Sequence, residues 1–297
     1  MEFLSCSRNE CMNYKEFCIS TYGYIYKKKY VEYLAGKTTK GAQENSERQA
    51  QHEAIVETFT KALGEYKNSY NATEIWNAIY RAHLFRKINI NNRDDIDEAV
   101  VDAIISAAQS WKKSSGHVFE DYVVRSTKNR LKSYNLSFVL QKELTQMLSE
   151  DKISNDDTDN IESVAKSDNF DIYAIVNVNG RNIVFGCIQA KTSIRDRVGR
   201  DRGFSIPIME RNFWSVAVVL DGTYLAMPKF EQMVNGGGTT QYKENGWHGM
   251  YALSNAQDND RIYADPNLDI LIQDACQAAE KFTSARQRFT LSWRALH

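Results

Sequence analysis

The residues of this sequence that could carry out chemistry begin with an acid and a lysine at the ends of two predicted strands. Asp171 heads an alternating apolar run, and Lys191 ends a second, near-continuous apolar run. Between them, Asn179 and Gly180 are typical of a two-residue hairpin turn, which would bring Asp171 and Lys191 to one end of the strand pair. With a divalent cation held by the carboxylate, such a pair can stabilise a phosphodiester transition state and orient a water. The same spacing also fits an ordinary solvent-facing strand pair.

A dense cationic segment follows the second strand. It contains two Arg-Asp-Arg triplets, which are Arg195, Asp196 and Arg197, and then Arg200, Asp201 and Arg202. Arginine presents a planar fork of donors that matches O6 and N7 of guanine, and a nearby aspartate can orient it or accept from N4 of cytosine. A salt-bridged helix face is the alternative, although two such triplets so close together are dense for a surface without function.

Other candidate residues carry weaker signals. Glu120 lies in the first turn of a predicted helix, where the helix dipole ordinarily favours a surface acid. The backbone carbonyl of Ala190 is a further oxygen that could bind a metal. Residues 235–248 are rich in glycine, which permits a close approach of the backbone to DNA. His248 lies in this stretch, but nothing in the sequence pairs with it, so we do not interpret it as a catalytic base.

Composition restricts the classes of protein that remain. The 297 residues can bury a sizeable core, and no apolar run approaches the roughly 20 residues that a membrane span needs. The N-terminus lacks the pattern of a signal peptide. Five cysteines without metal-ligand spacing favour a reduced, cytoplasmic protein. The net charge of -1 argues against binding nucleic acid through bulk charge, but it leaves room for local basic patches.

Helical periodicity dominates the first part of the chain and strand patterns dominate the rest. The residues SSGH at 114–117 are predicted to end one helix and begin another. We therefore interpret residues 1–113 as a helical N-terminal region that serves as a scaffold, a dimerisation module or a DNA clasp. Residues 114–297 are interpreted as an α/β domain with a central, partly parallel sheet flanked by helices, one of them predicted over 206–213.

Several segments of the chain together resemble a known family. They are EFCISTY and EIWNAIYRAH in the first part, SSGHVFEDY before the sheet, FDIY and FGCIQAKTSIRDRVGRDR around the hairpin, and FWSVAVVLDG, MPKF, MVNGGG and NGWHGMY after it. In these segments the sequence is similar to type II restriction endonucleases of the CCGG-recognising group, and within that group to the BsaWI-like enzymes. The resemblance covers most of the chain, so it is more specific than the spacing of an acid and a lysine.

The resemblance implies a PD-(D/E)xK restriction-endonuclease-like core: a mixed central sheet flanked by helices, here with a helical N-terminal region. Phe170 stands where the family motif usually has its proline, and Gln189 stands where it usually has its second acid. The group commonly supplies the missing carboxylate from a following helix. Glu210 is the candidate for that role, although it lies further from the motif lysine than the group leads one to expect.

The family also implies how the site residues share the work. Asp171 and Glu210 would hold Mg²⁺, with the carbonyl of Ala190 as a further ligand. Lys191 would stabilise charge and orient the attacking water. Glu120, on a helix before the sheet, would support the metal or the water.

The group reads the guanines of its CCGG core with an Arg-Asp/Glu-Arg element after the motif lysine. Both triplets qualify, and residues 200–202 are preferred because of their distance from Glu210. The implied protein is a bacterial, cytoplasmic homodimer that cuts both strands of a palindromic DNA duplex with a CCGG core and leaves 5′ overhangs. A cognate DNA methyltransferase is expected in the same system. The alternatives are a repair nuclease that acts on DNA structure, and a catalytically silent protein that binds a specific DNA sequence.

Overall fold

The structure is a computed structural model that describes residues 13–66, 70–87, 98–154, 169–192, 198–286 and 289–297. The chain divides into two compact units, Met1–Val118 and Phe119–His297. In the part of the chain that is described, no helix combines the length and apolar character needed to cross a membrane. Arg195, Asp196 and Arg197 lie outside the described residues.

The first unit is built from helices whose apolar residues recur with the helical period. Helices α1, α2 and α3 span Tyr14–Leu34, Lys40–Tyr66 and Ala72–Lys87. Asn13 begins α1, because its side-chain oxygen accepts hydrogen bonds from two N–H groups of the first turn (3.0 and 3.1 Å). Phe59 of α2 packs edge-on against Trp76 of α3, with ring centroids 4.9 Å apart.

The predicted break at residues 114–117 is wrong, because helix α4 runs without interruption over Glu98–Lys132. A glycine inside a helix costs about 1 kcal/mol relative to alanine, so Gly116 is tolerated when packing offsets that cost. The offset comes from the buried Val118 and from Gln51 of α2, whose Nε2 donates to Ser114 Oγ (3.1 Å). Tertiary contacts thus override the local break signal.

The second unit is built around a six-stranded mixed sheet in the order β1-β2-β3-β4-β5-β6. The strands are β1 (Leu136–Leu140), β2 (Ile172–Val178), β3 (Arg181–Lys191), β4 (Trp214–Val219), β5 (Gly249–Ala252) and β6 (Ile262–Ala264). The first three strands pair antiparallel, and β3 to β6 pair parallel. Every residue of β4 is buried, as expected for a strand covered on both faces. The mixed α/β fold expected from the sequence is confirmed.

The helices that accompany the sheet are α5 (Gln141–Ser149), α6 (Val198–Glu210), α7 (Pro228–Asn235) and α8 (Asp269–Ala285). Helix α6 joins β3 to β4, which is the crossover that parallel strands require. The sequence predicts this helix only over 206–213. It begins earlier because Val198 enters the core, and it ends before Asn212, whose φ of 62° is left-handed.

Candidate active site

Asp171 and Lys191 meet at the end of the β2–β3 hairpin. Nζ of Lys191 lies 2.6 Å from Oδ2 of Asp171, and the backbone N–H of Ala190 donates to the same oxygen (2.9 Å). The side chain of Asp171 is 15% exposed and that of Lys191 is 20% exposed, so the pair is partly shielded from solvent but open to a ligand. Coulomb attraction is stronger in such a site than in bulk water.

A β-bulge puts these two side chains on the same face of the sheet. Near the turn, Ile175 pairs with Val184, and continuing that register would place Asp171 opposite Ile188. The register shifts at this point and leaves Phe185 without a partner, so Asp171 instead lies opposite Gln189. Because side chains alternate along a strand, Lys191 then shares the face of Asp171. Without the extra residue Lys191 would project from the other face.

Gln189 is buried between these two residues and helix α6. Its Nε2 donates to the backbone carbonyls of Asn169 (3.2 Å) and Asp201 (3.1 Å), and its Oε1 accepts from the indole N–H of Trp247 (2.7 Å). The side chain that replaces the usual motif acid thus makes three hydrogen bonds within the protein. The hydrogen bond from Trp247 was not predicted from the sequence, because a tryptophan in a glycine-rich segment gives no indication of its partner.

The first turn of α6 packs directly over the end of β3. Gln189, Lys191 and Asp201 help to line a cavity of only about 10 Å³ there, which is about the space of one water. The sequence predicted that Asp201 would lie in a DNA-reading element, and its backbone carbonyl is fixed to the strand by Gln189. The start of α6 and the Asp171–Lys191 pair are therefore parts of one packed region.

The two arginines of the second triplet have different surroundings. Arg200 is exposed, and its guanidinium lies 5.7 Å from the ring centroid of Phe204. Arg202 instead donates to the backbone carbonyls of Met233 (3.1 Å) and Glu244 (2.6 Å), and it lies 5.3 Å from the centroid of Tyr242. Burial lowers the pKa of Arg202 from its ordinary value. Two of its nitrogens thus donate to α7 and to the segment that follows it.

The glycine-rich segment after α7 can lie close to α6 because glycine has no side chain that would collide with it. A Cβ on Gly246 would lie 2.3 Å from the carbonyl oxygen of Met233 and 3.0 Å from Cγ of Arg202. Gly236, at φ 79°, adopts a backbone conformation that residues with a Cβ rarely take. Asn245 anchors the other end, because its Nδ2 donates to the carbonyls of Trp247 (2.9 Å) and Leu291 (2.8 Å).

His248 is a structural residue. Its Nε2–H donates to the carbonyl of Thr290 (3.0 Å), and its Nδ1 accepts from the backbone N–H of Ser215 (3.1 Å). Burial lowers the pKa of His248 to about 3, so the ring is neutral at physiological pH. With both nitrogens occupied, it has no free position from which to take a proton from a substrate.

The two predicted site carboxylates other than Asp171 lie on helices. Glu210 is the exposed last residue of α6, and Glu120 is half-buried on α4. Among the described residues there is no group of three or more His, Cys, Asp or Glu side chains placed to hold a metal ion. Glu120, Asp171 and Glu210 therefore do not form such a group in this structure, and their roles stay predictions.

Comparison with known proteins identifies similar sequences and structures. Residues 152–288 match the family described as BsaWI restriction endonuclease type 2. The structure is similar to that of a pre-specific restriction endonuclease BsaWI–DNA complex, with a TM-score of 0.63 and 42% identity over 96% of this chain and 99% of that one. A specific restriction endonuclease AgeI–DNA complex is more distant, with a TM-score of 0.46 and 17% identity over 82% of this chain and 84% of that one. No curated protein sequence matches significantly.

Proposed function

This chain belongs to the BsaWI family of type 2 restriction endonucleases, and from that membership we propose which sequence it cuts and with which residues. It is a type II site-specific nuclease. We propose that it uses Mg²⁺ to cut both strands of a palindromic DNA duplex with a CCGG core, leaving 5′ overhangs. The observation that carries the proposal is the contact of Asp171 with Lys191, directly beside the first turn of α6.

The pair has the properties that phosphodiester hydrolysis requires. Negative charge grows on the phosphate oxygens in the transition state, and a fixed cation placed there in advance stabilises it without reorganisation. Lys191 supplies such a charge, because its Nζ is held by Asp171 at 2.6 Å and remains partly exposed. From this position the ammonium group can also orient a water towards the phosphorus and stabilise the hydroxide that forms.

The oxygen atoms at this site fit Mg²⁺. This ion prefers hard oxygen ligands, and it is usually held by one or two carboxylates while it keeps several waters. The hydrogen bonds of Asp171 within the described chain use Oδ2, which leaves Oδ1 for a ligand. The Ala190 N–H also points to Asp171, and a strand residue directs its carbonyl to the same side as its N–H. When bound, Mg²⁺ supplies charge that offsets the charge developing on the phosphate.

We assign the remaining carboxylates by the same reasoning. Glu210 would complete the metal site with Asp171, and Glu120 would support the metal or its water. Glu210 ends the helix whose first turn is bonded to β3, so a shift of α6 along its axis would move it relative to Asp171. The proposed roles of Glu120 and Glu210 do not rest on a contact with the Asp171–Lys191 pair, whereas the roles of Asp171 and Lys191 rest on their contact with each other.

The start of α6 and the cationic residues before it are proposed to read the DNA. Arg200 is exposed and can reach a base edge without losing a hydrogen bond, whereas Arg202 would first have to release Met233 and Glu244. Arg195, Asp196 and Arg197 remain candidates for base or phosphate contacts, together with Asp201. The similar BsaWI structure is a complex with DNA.

The proposed assembly follows from the proposed substrate. A palindrome has two-fold symmetry, and two identical subunits related by a two-fold axis match it. We therefore propose a homodimer with one Asp171–Lys191 pair for each strand. A nuclease of this type must spare the DNA of its own cell, so we propose a cognate DNA methyltransferase beside it in the bacterial cytoplasm.

Incubation with one sequenced plasmid and Mg²⁺ tests the proposed function. Discrete fragments whose mapped ends all fall at CCGG with 5′ extensions are expected, and Asp171→Asn should give none. Smears or ladders would show that the protein acts on DNA structure instead. Specific binding without cleavage by the wild-type protein would identify a silent binder.

A further inference from the structure

The buried amide of Gln189 occupies the motif position that usually carries an acid. Only 1% of this residue is exposed, and it lies on the same strand face as Lys191, directly opposite Asp171. A buried side-chain amide without partners would be costly, so its hydrogen bonds indicate what the residue does. Two readings are possible: Gln189 replaces the acid as a weak metal ligand, or it holds neighbouring elements in place.

The hydrogen bonds commit both N–H groups of the amide, and one lone pair of its oxygen, to contacts within the protein. The two N–H groups point at two carbonyl oxygens, those of Asn169 and Asp201, and the oxygen accepts from Trp247 at 2.7 Å. An amide is the side chain that can offer two donors on one atom and an acceptor on the other. A carboxylate here would place a negative charge against two carbonyl oxygens, which is why an acid does not fit.

The three partners belong to three different parts of the site. Asn169 lies two residues before Asp171, Asp201 lies in the first turn of α6, and Trp247 belongs to the segment that holds Arg202 through Glu244. A displacement of α6 along the DNA would therefore pull on the backbone next to Asp171. The link is a short chain of direct contacts and does not depend on distant motions.

We propose that Gln189 is a positioning residue that couples the start of the DNA-reading helix α6 to the backbone that carries Asp171. The proposal rests on the function proposed above, and it adds that base contacts at α6 and the geometry of the cutting pair are linked through one amide. Gln189 then acts through Asp171 and does not bind the metal itself. Its loss lowers the cleavage rate more than the affinity for DNA, and it weakens discrimination between cognate and altered sites.

The variant Gln189→Glu separates the two readings, because it restores the acid of the usual motif. If position 189 faced the metal, the variant would cut as fast as the wild type or faster. If the amide positions α6, single-turnover cleavage should fall about 10- to 100-fold, as is usual when a residue that orients a ligand is lost.

A matched control is Gln51→Glu. Gln51 is also a buried amide (2% exposed), and it bonds to Ser110 and Ser114 in the first unit. It should lose stability in the same way but keep its cleavage rate at temperatures where it is folded. Affinity for the cognate duplex, measured in EDTA so that no cleavage occurs, should change little in Gln189→Glu. The rate ratio between the cognate duplex and one with a single altered base should fall.

Each outcome decides the proposal. Cleavage by folded Gln189→Glu at the wild-type rate would overturn it, and so would an equal loss in Gln51→Glu. If Gln189→Glu does not fold, Gln189→Met takes its place, because it fills similar volume without donors. Wild-type cleavage by Gln189→Met would likewise overturn the proposal. Failure of the wild-type protein to give discrete fragments would instead reject the proposed function.

Discussion

Asp171 and Lys191 share one face of the β2–β3 pair, and the unpaired Phe185 of the bulge is the reason. The bulge bends the end of β3 so that Gln189 lies opposite Asp171, and the hydrogen bonds of both residues then become possible. A site that depends on one extra residue is sensitive to register, since a slip of one position moves every side chain to the other face. The contact between Asp171 and Lys191 is thus fixed by backbone geometry as well as by residue type.

Arg200→Ala is expected to weaken binding to the cognate duplex without lowering stability. The side chain is exposed, so its removal leaves no buried group without a partner. An arginine that contacts guanine with two hydrogen bonds contributes about 1–3 kcal/mol, so its loss corresponds to a Kd about 5- to 150-fold higher. Fluorescence anisotropy in EDTA at fixed salt measures this change. An unchanged Kd would exclude Arg200 from base reading.

Arg202→Ala is expected to lower the stability of the protein, in contrast to Arg200→Ala. It removes the hydrogen bonds to Met233 and Glu244 and the contact with Tyr242, so the free energy of unfolding should fall by about 1–3 kcal/mol. Urea denaturation beside Arg200→Ala provides the comparison. Should Arg202→Ala keep wild-type stability and lose only affinity, its contacts with the glycine-rich segment would be incidental and Arg202 would be the base-reading residue.

Glu210→Gln is expected to raise the Mg²⁺ concentration needed for half-maximal cleavage and to lower the rate at saturation. The amide keeps the shape of the side chain but removes the charge that would hold the cation. Partner mutations around metal sites typically cost about 10- to 100-fold in affinity or activity. Glu280→Gln, an exposed acid on α8, is the control. Equal Mg²⁺ titrations for both variants would show that the recruited carboxylate is another residue.

Asp274→Asn is expected to change how stability depends on pH. Burial raises the pKa of Asp274 from 3.8 to about 6, despite the hydrogen bond from Tyr251 O–H (2.6 Å). Between these values the folded state binds more protons than the unfolded state, so this group's contribution falls as pH rises from 4 to 6. The asparagine variant should therefore gain about 2–3 kcal/mol relative to the wild type over that range.

Urea unfolding at pH 4.5 and pH 7 measures the effect. His297 and Asp265 also act on Asp274, with opposite signs: His297 lowers its pKa and Asp265 raises it. A difference between the two proteins that stays constant with pH would mean that Asp274 has an ordinary pKa in the folded state.

The parts of the structure that are encoded locally could be predicted from the sequence. The Asn179-Gly180 turn and the apolar runs beside it indicate the hairpin, and the buried strand around Val216 follows from its continuous apolar character. The bulge at Phe185 was not predicted: Gly186 beside it is a residue type that marks either a bulge or a close backbone approach, and the local sequence does not distinguish the two.

The remaining differences come from contacts between distant residues. Gln51 and Val118 keep α4 intact through Gly116, and Val198 draws the start of α6 into the core. The hydrogen bonds of Gln189 join positions that are far apart in the sequence. Residue types thus indicate the chemistry of the site, while its geometry depends on the fold.

The most direct test of the proposed roles of Asp171 and Lys191 is single-turnover cleavage of a defined duplex with one CCGG, by the wild-type protein and by Lys191→Met. The Kd for this duplex in EDTA and the thermal unfolding temperature are first measured for both proteins and compared. Lys191→Met is expected to bind within a few-fold of the wild type and to cut about 100- to 1,000-fold more slowly, as is found for donors that stabilise transition-state charge. Near-wild-type cleavage by Lys191→Met would contradict it.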